Sequence, residues 1–144
     1  MTGSSNNEAA APEKQKRSSA SRSALIVHPD LEVLSSFKEA FRESGIAVHV
    51  ARDLPTALLT VAENDFELCL VCSHLHEPGD GWALGGVLRR LYPGVFVAVL
   101  ADSNVASLQQ AINHGFDQLY DVEERSPRKI ATAALGQSAR NAVH

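Results

Sequence analysis

Several features that mark large classes of protein are missing from this 144-residue chain. It has no run of about 18 or more apolar residues, the length a membrane-spanning helix needs. Its opening stretch, MTGSSNNEAAAPEKQKRSSASR, lacks the apolar segment of a secretory signal. Both absences point to a cytoplasmic protein with no membrane partner. Positive charge is scarce as well. Lys14, Lys16, Arg17 and Arg22 against Glu8 and Glu13 give the first 22 residues a net of +2, which leaves −6 for the remainder of a chain whose total is −4. A surface of that sign repels a phosphate backbone, so no nucleic-acid partner is expected. Cysteine is limited to Cys69 and Cys72.

What is present is a regular alternation. Residues 1–22 contain no aromatic or branched apolar side chain and cannot bury enough surface to offset their ordering entropy, so they read as a disordered tail ahead of a domain over 23–144. The apolar run ALIV at 24–27 reads as a strand, and His-Pro-Asp ends it. Asp30 is placed to cap a helix with Val33, Leu34, Phe37, Ala40 and Phe41 on one face, and Gly45 is placed to end it. IAVHV at 46–50 is the second strand, and Asp53 with Pro55 opens a helix carrying Ala57, Leu58, Val61 and Ala62. FELCLVC at 66–72 is the third strand. A loop over 73–81 leads into a helix through Leu91 that Gly85 and Gly86 weaken. VFVAVLA at 95–101 is the most continuous apolar strand, as expected for one buried on both faces of a parallel sheet. The helix over 104–114 is expected to turn Val105, Leu108 and Ile112 inward and to close at Gly115. QLYDV at 118–122 is the last strand, and Ser126 with Pro127 opens the last helix.

Five strand–helix units at this rhythm predict an α/β three-layer sandwich, a five-stranded parallel sheet with five helices in the flavodoxin-like order 2-1-3-4-5. Sites in such sheets form beyond the carboxyl ends of the strands. The residues that matter there are at 28–30, 72–80, 101–103 and 122–124.

The segments ALIVHPDLEVL, FELCLVCSHLHEPGDGWAL, LYPGVFVAVLADS and GFDQLYDV, in this order and spacing, resemble a response-regulator receiver domain. The resemblance covers about residues 23–137, with PGDGW and YPGVFVAVLA its most specific parts. It implies a phosphoryl group accepted from a histidine kinase by an Asp at the end of the third strand. Two further carboxylates at the end of the first strand hold magnesium, a Ser or Thr ends the fourth, and a Lys follows the fifth. In this sequence the acidic pair falls on His28 and Pro29, with Asp30 next. The acceptor position falls on Cys72 counted from Glu67, or on Ser73 counted from Gly81, because the loop is one residue longer. The hydroxyl position falls on Ala101 and the lysine on Val122, or on Glu123 with a slip. The aromatic switch position falls on Leu119, beside Tyr120. Asp30, Asp80 and Asp102 are the carboxylates near enough to substitute, but Asp30 and Asp102 are better placed to start helices. The expected molecule is a degenerate, non-catalytic receiver without a cofactor, working by contact with another signalling protein or as a homodimer. The last helix ends the chain, so its output is expected to pass through another protein.

Other readings of CLVCSHLHEPGDGW are sharper. Cysteines three apart in a strand point to opposite faces and lie about 10 Å apart at about 3.3 Å per residue, beyond the roughly 7 Å limit of a disulfide. His28, Cys72, His74 and His76 are borderline-soft ligands suited to zinc or copper, so a metal or ligand sensor is one alternative. Oxidation of Cys72, activated by a cationic His28, is another, and an unconventional phosphoacceptor is a third. The partner face implied by the resemblance runs over 104–135 and includes Gln109, Gln110, Tyr120, Arg125, Arg128 and Lys129.

Overall fold

Short strands and helices follow one another through the computed structural model, which describes residues 22–143. The strands are β1 (Ser23–Val27), β2 (Ala47–Ala51), β3 (Leu68–Cys72), β4 (Phe96–Leu100) and β5 (Gln118–Tyr120). The helices are α1 (Leu31–Glu43), α2 (Leu54–Glu63), α3 (Asp80–Leu91), α4 (Val105–Asn113) and α5 (Pro127–Val143). All strand pairs are parallel, in the order β2-β1-β3-β4-β5. The flavodoxin-like architecture expected from the sequence is thus the observed one. The reading of residues 1–21 as a disordered tail falls outside the described residues. Arg22, assigned to that tail, instead forks onto the Glu67 carboxylate beside the start of β3.

Local chemistry sets the helix starts. The side chains of Asp30, Asp53 and Asn104 accept from the backbone amides of Glu32, Thr56 and Ser107 at 2.8–2.9 Å. Each satisfies a helix N-terminal amide that has no partner within its own helix. Ser126 does the same for Lys129 at 3.2 Å, with Pro127 opening α5. Gly45 and Gly115 end α1 and α4 in the left-handed region, at φ of 77° and 80°.

Strand alternation divides the core in two. Ala24, Ile26, Leu68, Leu70, Phe96, Ala98 and Leu100 face α1 and α5, where Phe37, Phe41, Ile130 and Ala134 cover them. Leu25, Val27, Cys69, Val71 and Val97 face α2 and α3, against Ala57, Val61, Leu84 and Leu88. With both faces covered, every residue of β4 is buried.

The glycines of α3 have specific reasons. A Cβ on Gly81 would overlap the Cys72 carbonyl oxygen and lie 2.7 Å from Ser73 Cα, so glycine lets α3 start directly against the end of β3. A Cβ on Gly85 would overlap the Phe116 ring, which packs edge-on against Trp82.

α4 faces the opposite way from expectation. Val105, Leu108 and Ile112 are 77%, 48% and 74% exposed. The helix instead rests on Ala111, which packs with Trp82 and Val99. A small residue marks the close approach, and the large apolar side chains form a stripe on the outer surface.

Candidate functional site

The carboxyl ends of β1 and β3 are neighbours, so His28 and Cys72 end adjacent central strands. The His28 amide donates to the Ala51 carbonyl at 3.0 Å, and its ring Nδ1 accepts from the Asp30 amide at 3.0 Å. Accepting at Nδ1 requires the neutral ring with its proton on Nε2. Burial pushes the His28 pKa below its ordinary value, with the Asp30 carboxylate opposing. The Pro29 carbonyl accepts two bonds from the Arg52 guanidinium, at 2.8 and 3.1 Å. Asp30 is engaged as the cap of α1.

Cys72 is half-buried, and its thiol donates to the His74 carbonyl at 3.3 Å. Burial pushes its pKa up and the nearby Asp102 charge raises it further, with the His74 backbone opposing in smaller part. Ser73 is buried (6% exposed); its amide continues the ladder to the Leu100 carbonyl, and its hydroxyl lies 3.2 Å from His74 Nδ1. The Ala101 amide donates to the Tyr120 carbonyl at 3.0 Å. Val122 is partly buried against the α1–α5 core.

The histidines do not gather. The ring of His74 turns to Ser73, whereas His76 is exposed. Among the described residues no group of three or more His, Cys, Asp or Glu side chains is arranged to hold a metal ion. A neutral His28 and a raised Cys72 pKa also oppose the thiolate that an oxidation sensor needs.

Two site residues have no counterpart in the sequence reading. Arg52 follows β2 and crosses to Pro29. Asp121 follows β5 and accepts from the Ser103 amide with Oδ2 and the Glu123 amide with Oδ1, both at 2.9 Å. A carboxylate directly after a strand end is the only signal for Asp121.

Among solved structures, the chain is similar to a response-regulator receiver domain from Methanospirillum hungatei, at 20% identity and TM-score 0.77 over 85% of this chain and 97% of that one. It is also similar to the signal receiver domain of an HD-domain-containing protein from Pseudomonas fluorescens, at 21% and 0.76 over 86% and 99%. An orphan response regulator of H. pylori matches at 13% and 0.72 over 82% and 97%. The chain has the receiver fold. No family model and no curated protein sequence matches it.

On the flank of this receiver fold, Gln109, Gln110, Arg125 and Lys129, read from the sequence as part of a partner face, are exposed. Tyr120 is not: it is 3% exposed and joins the α1–α5 core, because strand alternation turns Leu119 toward Trp82 and Tyr120 to the opposite side. Among the described residues its buried hydroxyl has no hydrogen-bond partner, and burial pushes its pKa up. Arg128 is exposed but pairs with Glu43 of α1 at 3.0 Å, which orients it away from α4. No described helix is long and apolar enough to cross a membrane.

Proposed function

We propose that this receiver fold is a non-catalytic signalling module that acts by protein–protein contact, independently of aspartate phosphorylation. One observation carries the reading: the carboxyl ends of β1 and β3 bear His28, Pro29, Cys72 and Ser73, and no carboxylate. Phosphoryl transfer in the family relies on oxygen ligands for a divalent cation and a carboxylate acceptor. Of the acidic side chains nearby, Asp30 and Asp121 already accept backbone amides. Asp102 beside Cys72 is a single charge. Ala101 and Val122 supply neither a hydroxyl nor an ammonium to a phosphoryl group.

The contact surface is the outer stripe of α4, Val105, Leu108 and Ile112, with Gln109 beside it and Arg125 and Lys129 of the following flank. Apolar side chains at i, i+3 and i+7 on an exposed helix face are the pattern that a partner protein covers. The partner is another signalling protein, and a second copy of this chain is the alternative occupant. The metal or thiol sensor has less support, since the candidate ligands do not converge and Cys72 is held as a thiol.

Incubation with phosphoramidate and magnesium, followed by intact-mass measurement, tests the first half. The expected result is an unchanged mass; a gain of one phosphoryl group on an aspartate refutes it. For the second half, Leu108→Glu with Ile112→Glu is expected to abolish co-purification of the partner, or self-association, while the stability from urea unfolding stays within about 0.5 kcal/mol of the parent. Retained association would remove α4 as the contact.

A further inference from the structure

Asp121 is the most heavily engaged residue at the carboxyl ends of the strands, and neither the fold nor the proposed function accounts for it. Its carboxylate bridges two connections, accepting from Ser103 between β4 and α4 and from Glu123 between β5 and α5. Its main-chain carbonyl accepts from the Glu124 and Arg125 amides, both at 3.0 Å, so the turn after β5 closes around it. The carboxylate is thereby held rigidly from behind while one oxygen reaches the neighbouring connection.

The reach matters because Ser103 leads directly into α4. Asn104 caps that helix through the Ser107 amide, and Val105 begins the helix and its apolar stripe. The connection is short, and its amide at Asn104 closes a tight turn onto the Asp102 carbonyl. The position of Ser103 therefore passes to α4 with little slack. At its other end α4 is anchored by Ala111, whose carbonyl accepts the Phe116 amide at 2.9 Å and whose side chain packs on Trp82 and Val99. At the amino-terminal end Asn104 and Val105 are both exposed.

We infer that Asp121 is a positioning residue that latches the amino-terminal end of α4 to the β5–α5 turn and so fixes the stripe in one orientation. A carboxylate accepting two amides makes charge-assisted bonds, stronger than the neutral bonds of an ordinary turn. The device lets α4 be presented without any event at the ends of β1 and β3. Its consequence for binding rests on α4 being the contact surface, but the latch itself is measured without a partner.

Amide hydrogen exchange by NMR on the full chain tests it, comparing the parent with Asp121→Ala and Asp121→Asn. In the parent, the Ser103 and Glu123 amides are expected to exchange at least about tenfold slower than unstructured peptide. In Asp121→Ala both lose that protection, the Val105 and Leu108 methyl resonances shift or broaden, and the Val99 and Leu100 amides of β4 stay as slow as before. Asp121→Asn keeps one acceptor oxygen and is expected to retain protection at only one of the two amides; it also serves if Asp121→Ala fails to fold. Unchanged Ser103 protection in both variants, or a Ser103 amide already unprotected in the parent, overturns the latch. Unmoved α4 methyls alongside accelerated Ser103 exchange would reduce Asp121 to a turn residue and overturn it equally. The binding experiment on Leu108→Glu with Ile112→Glu reads α4 docking separately, so failure of one inference is distinguishable from failure of the other.

Discussion

The adjacent glycines of α3 make opposite demands, and exchanging each for alanine separates them. Alanine in a helix interior is favoured over glycine by about 1 kcal/mol at either position, because glycine loses more backbone freedom on folding. At Gly86 a Cβ would meet only His114 Cδ2, at 3.7 Å, an ordinary contact. Gly86→Ala should therefore gain about 0.5–1 kcal/mol. At Gly85 a Cβ would lie 2.6 Å from Phe116 Cε1 and closer still to two other atoms of the ring. That ring is half-buried and rests edge-on against Trp82 with centroids 5.8 Å apart, so it cannot swing away without uncovering Trp82. Overpacking of this kind costs about 1–3 kcal/mol, which exceeds the propensity gain and leaves Gly85→Ala net destabilised by about 1 kcal/mol. The two variants should thus differ by about 2 kcal/mol, or about 1 M in urea midpoint for a domain of this size. A double-mutant cycle adds the decisive control: with Phe116→Ala in place the obstacle is gone, and Gly85→Ala should cost nothing. Equal midpoints for Gly85→Ala and Gly86→Ala, or an unchanged cost in the Phe116→Ala background, would refute the packing assigned to this helix.

Two further outcomes concern buried groups. Tyr120→Phe removes a buried hydroxyl that has no partner among the described residues and should raise stability by about 1 kcal/mol, or about 3–6 °C in a thermal melt; a loss of stability would show that the hydroxyl is hydrogen-bonded in solution. Burial pushes the Cys69 thiol up to about 12 from an ordinary 9.0. The unfolded chain therefore releases this proton first, and the thiol's contribution is intact below about pH 9 and lost as pH rises from there to about 12. At pH 10 the parent should have lost about 1 kcal/mol relative to Cys69→Val when both are referred to pH 8, a comparison that equal urea titrations at the two pH values would defeat.

The parts of the fold legible in the sequence are those decided locally or by period. Asp30, Asp53 and Ser126 act within three residues of themselves, and each caps the helix assigned to it, whereas α4 is capped by Asn104 and not by Asp102, whose carbonyl only takes the Asn104 amide. The β4 run is apolar throughout because both sides of the sheet are covered, and no tertiary detail is needed to read it. α4 shows where this stops. The spacing of Val105, Leu108 and Ile112 identifies a stripe but not the side it faces. That is settled by Ala111, whose small side chain allows the closest approach to Trp82 and Val99. The side on which Tyr120 lies is hidden for a related reason: strand parity at β5 turns on a single residue, and β5 is only three residues long. Arg52 and Asp121 reach Pro29 and Ser103 across connections that are distant in sequence, so neither of those bonds has a local signature.

The same long-range bonds bear on what the carboxyl ends of the strands can do. Each connection there is closed on itself or on its neighbour. His28 Nδ1 takes the Asp30 amide, the Pro29 carbonyl takes Arg52, the Cys72 thiol goes to the His74 carbonyl, and Asp121 takes the Ser103 amide. A cation entering between β1 and β3 would meet a guanidinium already seated on Pro29, with no carboxylate at either strand end. A phosphoryl group would need free amides, and the Ser103 amide is already bonded. Breaking any one of these bonds leaves a polar group unsatisfied, at a cost of about 1–3 kcal/mol, and an incoming ligand would have to offset several such costs together. A site whose groups are satisfied by one another has little differential affinity to offer a ligand, and without differential affinity an equilibrium between two states does not move. This supports the proposed reading of a receiver fold held in a single state.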